Sequence, residues 1–573
     1  MKAPMLPYSS GIQKTQQIRF NGYQHTEDCS EGMIWDERNI SGRAYPYLRP
    51  IKSRPGFERS CDNALFAHDY LGWVNGTELW YDEHLVGYVE DSFKQIAVMG
   101  DRIVIFPDKV VLNAKYRRLG TYPTLDALQA AVTDPEEFDA YGVGAGVPYE
   151  MYAWNGSEWV SYGKELQPME NKASFEGVTF KNGTYKDVPA KANTMEFSVD
   201  VENLGFKKGD GVTISGCVIH TENNKTPVIQ EIQGKQIRFR ENVFKLDGED
   251  GLTDYRETGT VTLSRDVPDL DVICAVDNRL WGAKDDTIYA SKLGDPTNFN
   301  VFDGLTTDSW FQETGTAGPF TGCIPYLGYP IFFKERHIFK VYGKNAENFE
   351  PSKSATMGVK AGAWRSLAIA GEVLYYLGDK GLVAYSGGIP ESVAAPFGNV
   401  KYVDAVAGSD GGWLYLSMTR ANGEKDLFCL DTDYGLLHKE DDLAASGFCA
   451  YDGVLYALLN GGNAVVVNAD EGETPDSFIE FGDFMENAMN RKGVSGLQMR
   501  VMLEAGAKVD VYIQYDSNGE WRRVKTLTAT RKQGFAFPVK LKRCDHYRLK
   551  IEAEGFWKLY GLSKEFYVGS GKH

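Results

Sequence analysis

Four stretches of this 573-residue chain carry side chains that could do chemistry. Asp441 and Asp442 are paired carboxylates, the kind of group that a glycoside hydrolase sets on either side of a scissile bond. Neighbours along a strand point to opposite faces, however, so the pair reads as turn acids. "DGEDGLTD", Asp247 to Asp254, gathers acids on one loop and could hold Ca²⁺. It lacks the ligand spacing and the closing bidentate glutamate of a calcium loop, which leaves a solvated turn. "GVGAGV", Gly142 to Val147, has the glycine content of a phosphate cradle, yet Pro148 and a strand follow where a helix N-terminus is needed. In "EMYAWNGSEW", Glu150 to Trp159, Trp154 and Trp159 could stack on a sugar ring, but rings so placed more simply fill the core of a small module.

The remaining search for catalysis comes up empty. The histidines (His25, His68, His84, His220, His337, His438, His546 and His573) are scattered, with no HExxH pairing. No GxSxG elbow and no Walker A loop occurs. The repeated Ser-x-Asp-x-Gly-x-x-Trp turn of sialidases is missing; "DSNGEW", Asp516 to Trp521, approaches it once. The eight cysteines form no CxxC pair, and most sit in apolar runs such as "DVICAVD" and "DLFCLD", so they read as buried free thiols. The sequence therefore assigns no catalytic, cofactor-binding or metal residue, and the expectation is a protein without enzymatic activity or cofactor. A net charge of −18 disfavours a dedicated grip on nucleic acid, which needs clustered Lys and Arg. No run approaches the roughly 20 apolar residues of a membrane span, and the first residues lack a core of signal-peptide length. The expectation is a soluble protein made in a reducing cytoplasm, with no membrane insertion.

The elements behind these side chains are nearly all strands. "NRLWGAKDDTIYASKLGDPTNFNVFDG", Asn278 to Gly304, alternates, turns on Asp-Asp, alternates again and ends in a polar segment. This form recurs from Gly72, Ala97, Cys274, Pro325, Leu367, Ala405 and Phe448, seven units in all. Leu280, Ile331, Leu374, Leu414 and Leu455 mark equivalent inner-strand positions, with successive spacings of 51, 43, 40 and 41 residues. Such spacing fits a four-stranded propeller blade, and amphipathic hairpins that cannot bury their faces alone are stable when stacked. The fold class expected is all-β: a β-propeller of about seven blades, with an inserted small α+β and β-barrel region and a C-terminal β-sandwich.

The boundaries expected are an extended N-terminal segment over 1–60 that packs on the propeller, and blades one and two over 61–113. An insertion follows over 114–270, then blades three to seven over 271–475 and the sandwich over 481–573. Within the insertion, 121–163 reads as a helix and hairpin module. Thr124 is its N-cap, Leu125, Leu128 and Val132 face inward, and the hairpin turns on Asn155-Gly156. Residues 170–262 alternate through several strands and suggest a small barrel.

"VPDLDVICAVDNRLWGAKDDTIYASKLGDPTNFNVFDG", continuing through "FTGCIPYLGYPIFFKERHIFKVYG", resembles bacteriophage tail proteins with a propeller body. These are the tail-nozzle or stabilisation proteins that sit between connector and tail tip in short-tailed phages. "MIWDERNISGRAYPYLRPIKSRPGF" looks like that family's opening segment, with Asn39, Tyr45, Pro46 and Arg54 on recurring positions. "RCDHYRLKIEAEGFWKLYGLSKEFYVGSG" is similar to its closing sandwich, and Thr121 to Gly163 looks like a module common in phage tail and fibre proteins. The resemblance implies a structural virion protein, assembled in the host cytoplasm and resident in the tail. It would form a homo-oligomeric ring of six copies that links other tail and connector proteins around the DNA exit path. An acidic wall suits passage of genomic DNA without specific binding, because it repels the polymer that a basic wall would hold. The alternative reading is a propeller of the tail tip that binds or cleaves host glycans.

Overall fold

The computed structural model describes residues 11–185, 188–240, 243–249, 251–528, 531–540 and 542–568. Among these the chain is all-β, built from many small, mostly antiparallel sheets, with no closed barrel. It divides into two compact units, residues 1–65 with 362–573, and residues 66–361.

Every recurring hairpin of the sequence lies in its own sheet. Sheet I (Ala64–Ala67, Leu71–Asn75, Glu78–Tyr81, His84–Tyr88) and sheet II (Gln95–Met99, Arg102–Phe106, Val110–Asn113, Leu166–Pro168) come first. Sheet III (Val272–Val276, Arg279–Lys284, Thr287–Ala290, Trp310–Glu313) and sheet IV (Gly322–Tyr326, Tyr329–Lys334, His337–Tyr342, Glu350–Ala355) follow in the unit 66–361. The other unit holds sheet V (Ala368–Ala370, Val373–Gly378, Gly381–Tyr385, Glu391–Ser392), sheet VI (Tyr402–Ser409, Trp413–Arg420, Lys425–Asp431, Leu436–Asp441) and sheet VII (Ala445–Tyr451, Val454–Leu459, Ala464–Val466). Leu280, Ile331, Leu374, Leu414 and Leu455 all lie near the start of the second strand of their sheets and are fully buried. Within each unit the first strands of successive sheets lie side by side, II by III by IV in one and V by VI by VII in the other. Each sheet thus covers an apolar face of its neighbour, which contributes about 1.5–3 kcal/mol per large side chain removed from water.

The repeated turn has a backbone reason. Two-residue connections between first and second strands favour a positive φ at both positions, because that twist matches the strands. Asp277-Asn278, Leu327-Gly328, Gly371-Glu372 and Asp452-Gly453 all adopt it. Arg279, just after the first of these, donates to the carbonyls of Ser291 (2.7 Å), Asp308 (2.5 Å) and Thr306 (2.9 Å), and so organises the long polar loop before Trp310.

Three expectations need correction. The span 114–270 is not one continuous insertion: Leu166–Pro168 returns to pair with Val110–Asn113 as the fourth strand of sheet II. Two separate excursions result, one of Arg118–Tyr122, the helix Leu125–Ala131, Ala140–Val143, Glu150–Trp154 and Trp159–Lys164, the other between Asn171 and Arg265. The second is not a barrel. A three-stranded and a five-stranded sheet face a shared core of Phe175, Phe180, Phe197, Phe206, Phe239 and Leu263, and the two sheets remain separate. Lastly, the N-terminal segment does more than lie against the hairpins. Gln13–Gln17 pairs with Trp557–Val568, and Ile34–Arg38 with Ser477–Phe481, so the segment supplies one strand to each sheet of the C-terminal sandwich. Gly56 then bridges Val465 and extends sheet VII. The first ten residues of the expected segment lie outside the described residues.

In the first excursion Thr124 caps the helix, its hydroxyl accepting from the Ala127 amide at 3.2 Å, and Leu128 is fully buried while Leu125 and Val132 are half-buried. The sandwich reads directly off its alternation: Tyr547, Leu549, Ile551 and Ala553 turn inward to meet Val494, Val501 and Trp557.

Leu327 is the one apolar residue in these four turns; it is exposed and its φ is +52°. A branched side chain there strains the backbone. Leu327→Asn is expected to stabilise the protein by about 0.5–1 kcal/mol, read as a higher midpoint in thermal unfolding.

Candidate functional site

The densest set of chemical side chains lies where residues 36–57 cross sheet VI, within one unit. Four arginines spaced five or six residues apart reach successive acids. Arg38 approaches Asp442 at 3.6 Å, Arg43 meets Asp410 at 2.8 Å, Arg49 meets Asp470 at 2.6 Å, and Arg54 meets Glu440 at 2.7 Å. Arg54 also binds Asp441 through its other terminal nitrogen. Arg43 further donates to the Tyr415 hydroxyl at 2.9 Å and stacks over the Trp413 ring at 4.7 Å. Such planar, forked cations suit bidentate work that an ammonium group does poorly.

Beneath the strap, Tyr415, Cys429 and His438 are successive cross-strand partners in sheet VI. Both oxygens of the Glu37 carboxylate lie 3.2 Å from His438 Nδ1, and one accepts from the Lys439 amide at 2.9 Å. Thiol, imidazole and carboxylate in series are the components of a nucleophilic site. Here all three residues are buried, and Gly42 lies over the imidazole so closely that a Cβ would stand 2.6 Å from His438 Cδ2. Burial pushes the Cys429 thiol well up, the opposite of what a nucleophile needs. The arrangement works as a clamp: it fastens an irregular segment through groups that would be costly to leave unpaired.

The same device recurs. Lys564 joins Glu31 (2.7 Å) and Glu486 (2.9 Å) in the sandwich, with Thr15 donating to Glu486 at 3.0 Å. In the other unit Arg118 binds Glu165 at 2.5 Å and Arg265 binds Asp210 at 2.7 Å, each pair almost wholly buried.

The residues singled out from sequence are dispersed. Asp441 is not a turn acid but closes sheet VI and binds the buried Arg54, while Asp442 beside it is exposed. Of the acidic loop, Asp247 accepts from His220 at 2.8 Å and Asp254 from the Asn182 amide at 3.0 Å; Asp250 lies outside the described residues. Among the described residues no group of three or more His, Cys, Asp or Glu is disposed to hold a metal. Gly144 and Gly146 fall in the hairpin loop between Ala140–Val143 and Glu150–Trp154, with no helix after it. Trp154 and Trp159 are half-buried, their rings edge to face at 5.5 Å, and Tyr141 meets Trp159 at 5.7 Å; they stand apart from the buried Ala140, Met151 and Ala153. Asp516 and Ser517 form a hairpin turn of positive φ in the sandwich. All eight cysteines are free. Among the described residues no helix is long and apolar enough to cross a membrane.

Sequence reading missed Glu37, Arg43, His438 and Glu440. The signal was present: His438 and Glu440 alternate with outward residues along a strand, so both point inward, and an arginine-spaced segment waits elsewhere in the chain. Asn39, Tyr45, Pro46 and Arg54 all belong to this crossing. Asn39 Nδ2 donates to the Asp476 carbonyl at 2.6 Å, and Tyr45, just before Pro46, packs its ring on Tyr434 at 4.5 Å.

An open cleft of about 490 Å³ on the sandwich is lined by Arg38, Asp476, Lys508, Asp510, Glu552 and Glu554. Lys508 already meets Asp510 at 2.9 Å and Glu554 at 3.3 Å, so the one lysine of the cleft is engaged by its own acids.

No known protein family and no curated protein matches the chain. Among solved structures it is similar to an exo-β-1,3-galactanase from Phanerochaete chrysosporium, at 9% identity over 51% of this chain and 94% of that one, with a TM-score of 0.21. It is also similar to the extracellular domain of a putative one-component system from B. thetaiotaomicron, at 10% identity over 91% and 96%, TM-score 0.16. Carbohydrate-binding modules of the β-sandwich superfamily match at 8% identity over 40% and 90%, TM-score 0.10. Scores this low carry no conclusion about the chain.

Burial holds the Glu440 carboxyl up at about 7 although Arg54 pulls it down. Burial alone would lower His438, but Glu37 outweighs it and keeps the imidazole above its ordinary value. Both groups bind protons more tightly folded than unfolded, so their contribution to stability falls as pH rises through the folded values. The unfolding midpoint of the unit that holds the strap is expected to be lower at pH 8 than at pH 6, and Glu440→Gln should flatten that slope. Arg54→Ala, which strands two acids, is expected to cost about 3–5 kcal/mol in denaturant unfolding.

Proposed function

We propose that this protein is a structural component of a bacteriophage tail, in which the seven small sheets serve as blades of a propeller and copies of the chain form a ring around the DNA exit path. The observation that carries the reading is the arginine strap. Of the opening residues that resemble the tail-nozzle family, Asn39, Tyr45 and Arg54 make contacts that fasten the N-terminal segment across sheet VI and the sandwich. Charge is spent on rigidity, which suits a spacer that transmits load. The Cys429, His438 and Glu37 series, which looks catalytic by residue type, is sealed by that segment. A net charge of −18 suits a surface past which DNA slides.

A second reading, glycan binding at a tail tip, is favoured by one feature. Tyr141, Trp154 and Trp159 form a half-buried aromatic cluster, and flat rings of this kind stack on sugar faces.

Electron microscopy of the purified chain, with light scattering for its mass, separates the two. Rings with a central hole and no sugar release from host polysaccharide are expected. A stable monomer that retains or cleaves a host glycan, with the signal lost in Trp159→Ala, would overturn the structural reading in favour of the second.

A further inference from the structure

The first strands of sheets III and IV lie side by side, and each carries a cysteine at its contact with the other. Cys274 sits mid-strand in Val272–Val276, opposite Trp281, and Cys323 sits in Gly322–Tyr326, opposite Phe332. Both pack into one core with Phe320, Phe332 and Phe339. Burial first, and then the Cys274 thiol, push the Cys323 thiol up, which fits two side chains that lie close to each other across the boundary between sheets. The other cysteines do not share this arrangement where their partners are seen: Cys29, Cys449 and Cys544 lie near backbone carbonyls. Cys274 is buried, whereas Cys323 keeps part of its surface open.

We propose that Cys274 and Cys323 are a redox clasp: a dithiol in the reducing cell that closes to a disulfide joining sheets III and IV when the protein meets a peroxide-class oxidant. The thiolate of Cys323, whose residue is the less buried of the two, attacks one oxygen of hydrogen peroxide. The O–O bond breaks, hydroxide leaves, and the sulfur becomes a sulfenic acid. The Cys274 thiolate then attacks that sulfur, forming the S–S bond and breaking the S–O bond, and the departing hydroxide takes up the proton given up by the thiol. Two thiols are oxidised by two electrons, and one peroxide is reduced to two waters. A small oxidant is required because the sulfurs lie among aromatic rings. Burial also pushes the Cys323 thiol up, which keeps its thiolate fraction low and makes closure slow.

The bond would close a loop with 48 residues between the two cysteines. Constraint of the unfolded chain by such a loop is expected to raise the unfolding midpoint of that unit by roughly 5–10 °C. The full chain, purified in reductant and desalted, is incubated with hydrogen peroxide, then alkylated in denaturant and digested without reduction. The expected result is a Cys274–Cys323 linked peptide, a mass lower by about 2 Da per chain relative to the dithiol, and the higher midpoint. Dithiothreitol should reverse all three, and Cys274→Ser and Cys323→Ser should each abolish them. Recovery of both cysteines as alkylated thiols or as sulfinic and sulfonic acids would overturn the proposal. So would pairing with other cysteines, or a linked peptide without a rise in midpoint.

Discussion

A buried charge must meet its opposite, and in this protein that requirement decides where the N-terminal segment goes. Arg54 is almost wholly enclosed, with Glu440 and Asp441 on its two terminal nitrogens. Glu440 in turn is buried and is held by Arg54, so segment and sheet depend on each other. An isolated hairpin edge could be capped by any apolar residue, and a purely apolar contact would let the segment slide. Arginines at positions 38, 43, 49 and 54, each matched to a separate acid, fix one register. Gly42 shows how tightly that register is held, since no side chain fits between it and the imidazole of His438.

The small sheets solve a different problem by the same logic of mutual dependence. One four-stranded sheet with apolar side chains on both faces is unstable in water, and its second strand, largely buried in sheets III to VI, needs a neighbour. Leu280, Ile331, Leu374, Leu414 and Leu455 are buried because each adjacent sheet supplies the missing wall. Insertions are tolerated only where they leave that wall intact. The first excursion leaves sheet II after Val110–Asn113 and returns in time for Leu166–Pro168 to complete the edge, so a whole module hangs from one turn.

Much of this was legible in the sequence because it is local. The seven hairpins rest on period-two alternation and on two-residue turns such as Asp277-Asn278 and Asp452-Gly453, both encoded within a few residues. The cap at Thr124 and the alternation of Tyr547 to Ala553 are local in the same way. What failed was non-local. That Leu166–Pro168 belongs to sheet II is written nowhere near it, since three residues carry no periodicity. The paired sheets of the second excursion and a barrel share the same strand pattern; only pairing distinguishes them. At the candidate site, Asp441 looked like a turn acid because its partner lies 387 residues away. His438 counted only as one of the scattered histidines and Glu440 drew no reading, because charged side chains seldom face inward unless something distant neutralises them.

These distances also shape how the chain can fold. The unit 66–361 is continuous, so its sheets can form as they leave the ribosome. The other unit cannot. Gln13–Gln17 must wait for Trp557–Val568, Ile34–Arg38 for Ser477–Phe481, and Arg54 for Glu440. Loop closure across such separations is slow, and until it happens the arginines of the N-terminal segment lack the acids they later meet. Charge is what makes the wait safe: arginines at regular intervals keep an unpaired edge from adding to other chains. The residues that later lock the segment in place are therefore the same ones that keep an unpaired edge apart from other chains beforehand, and the acids they meet convert one role into the other.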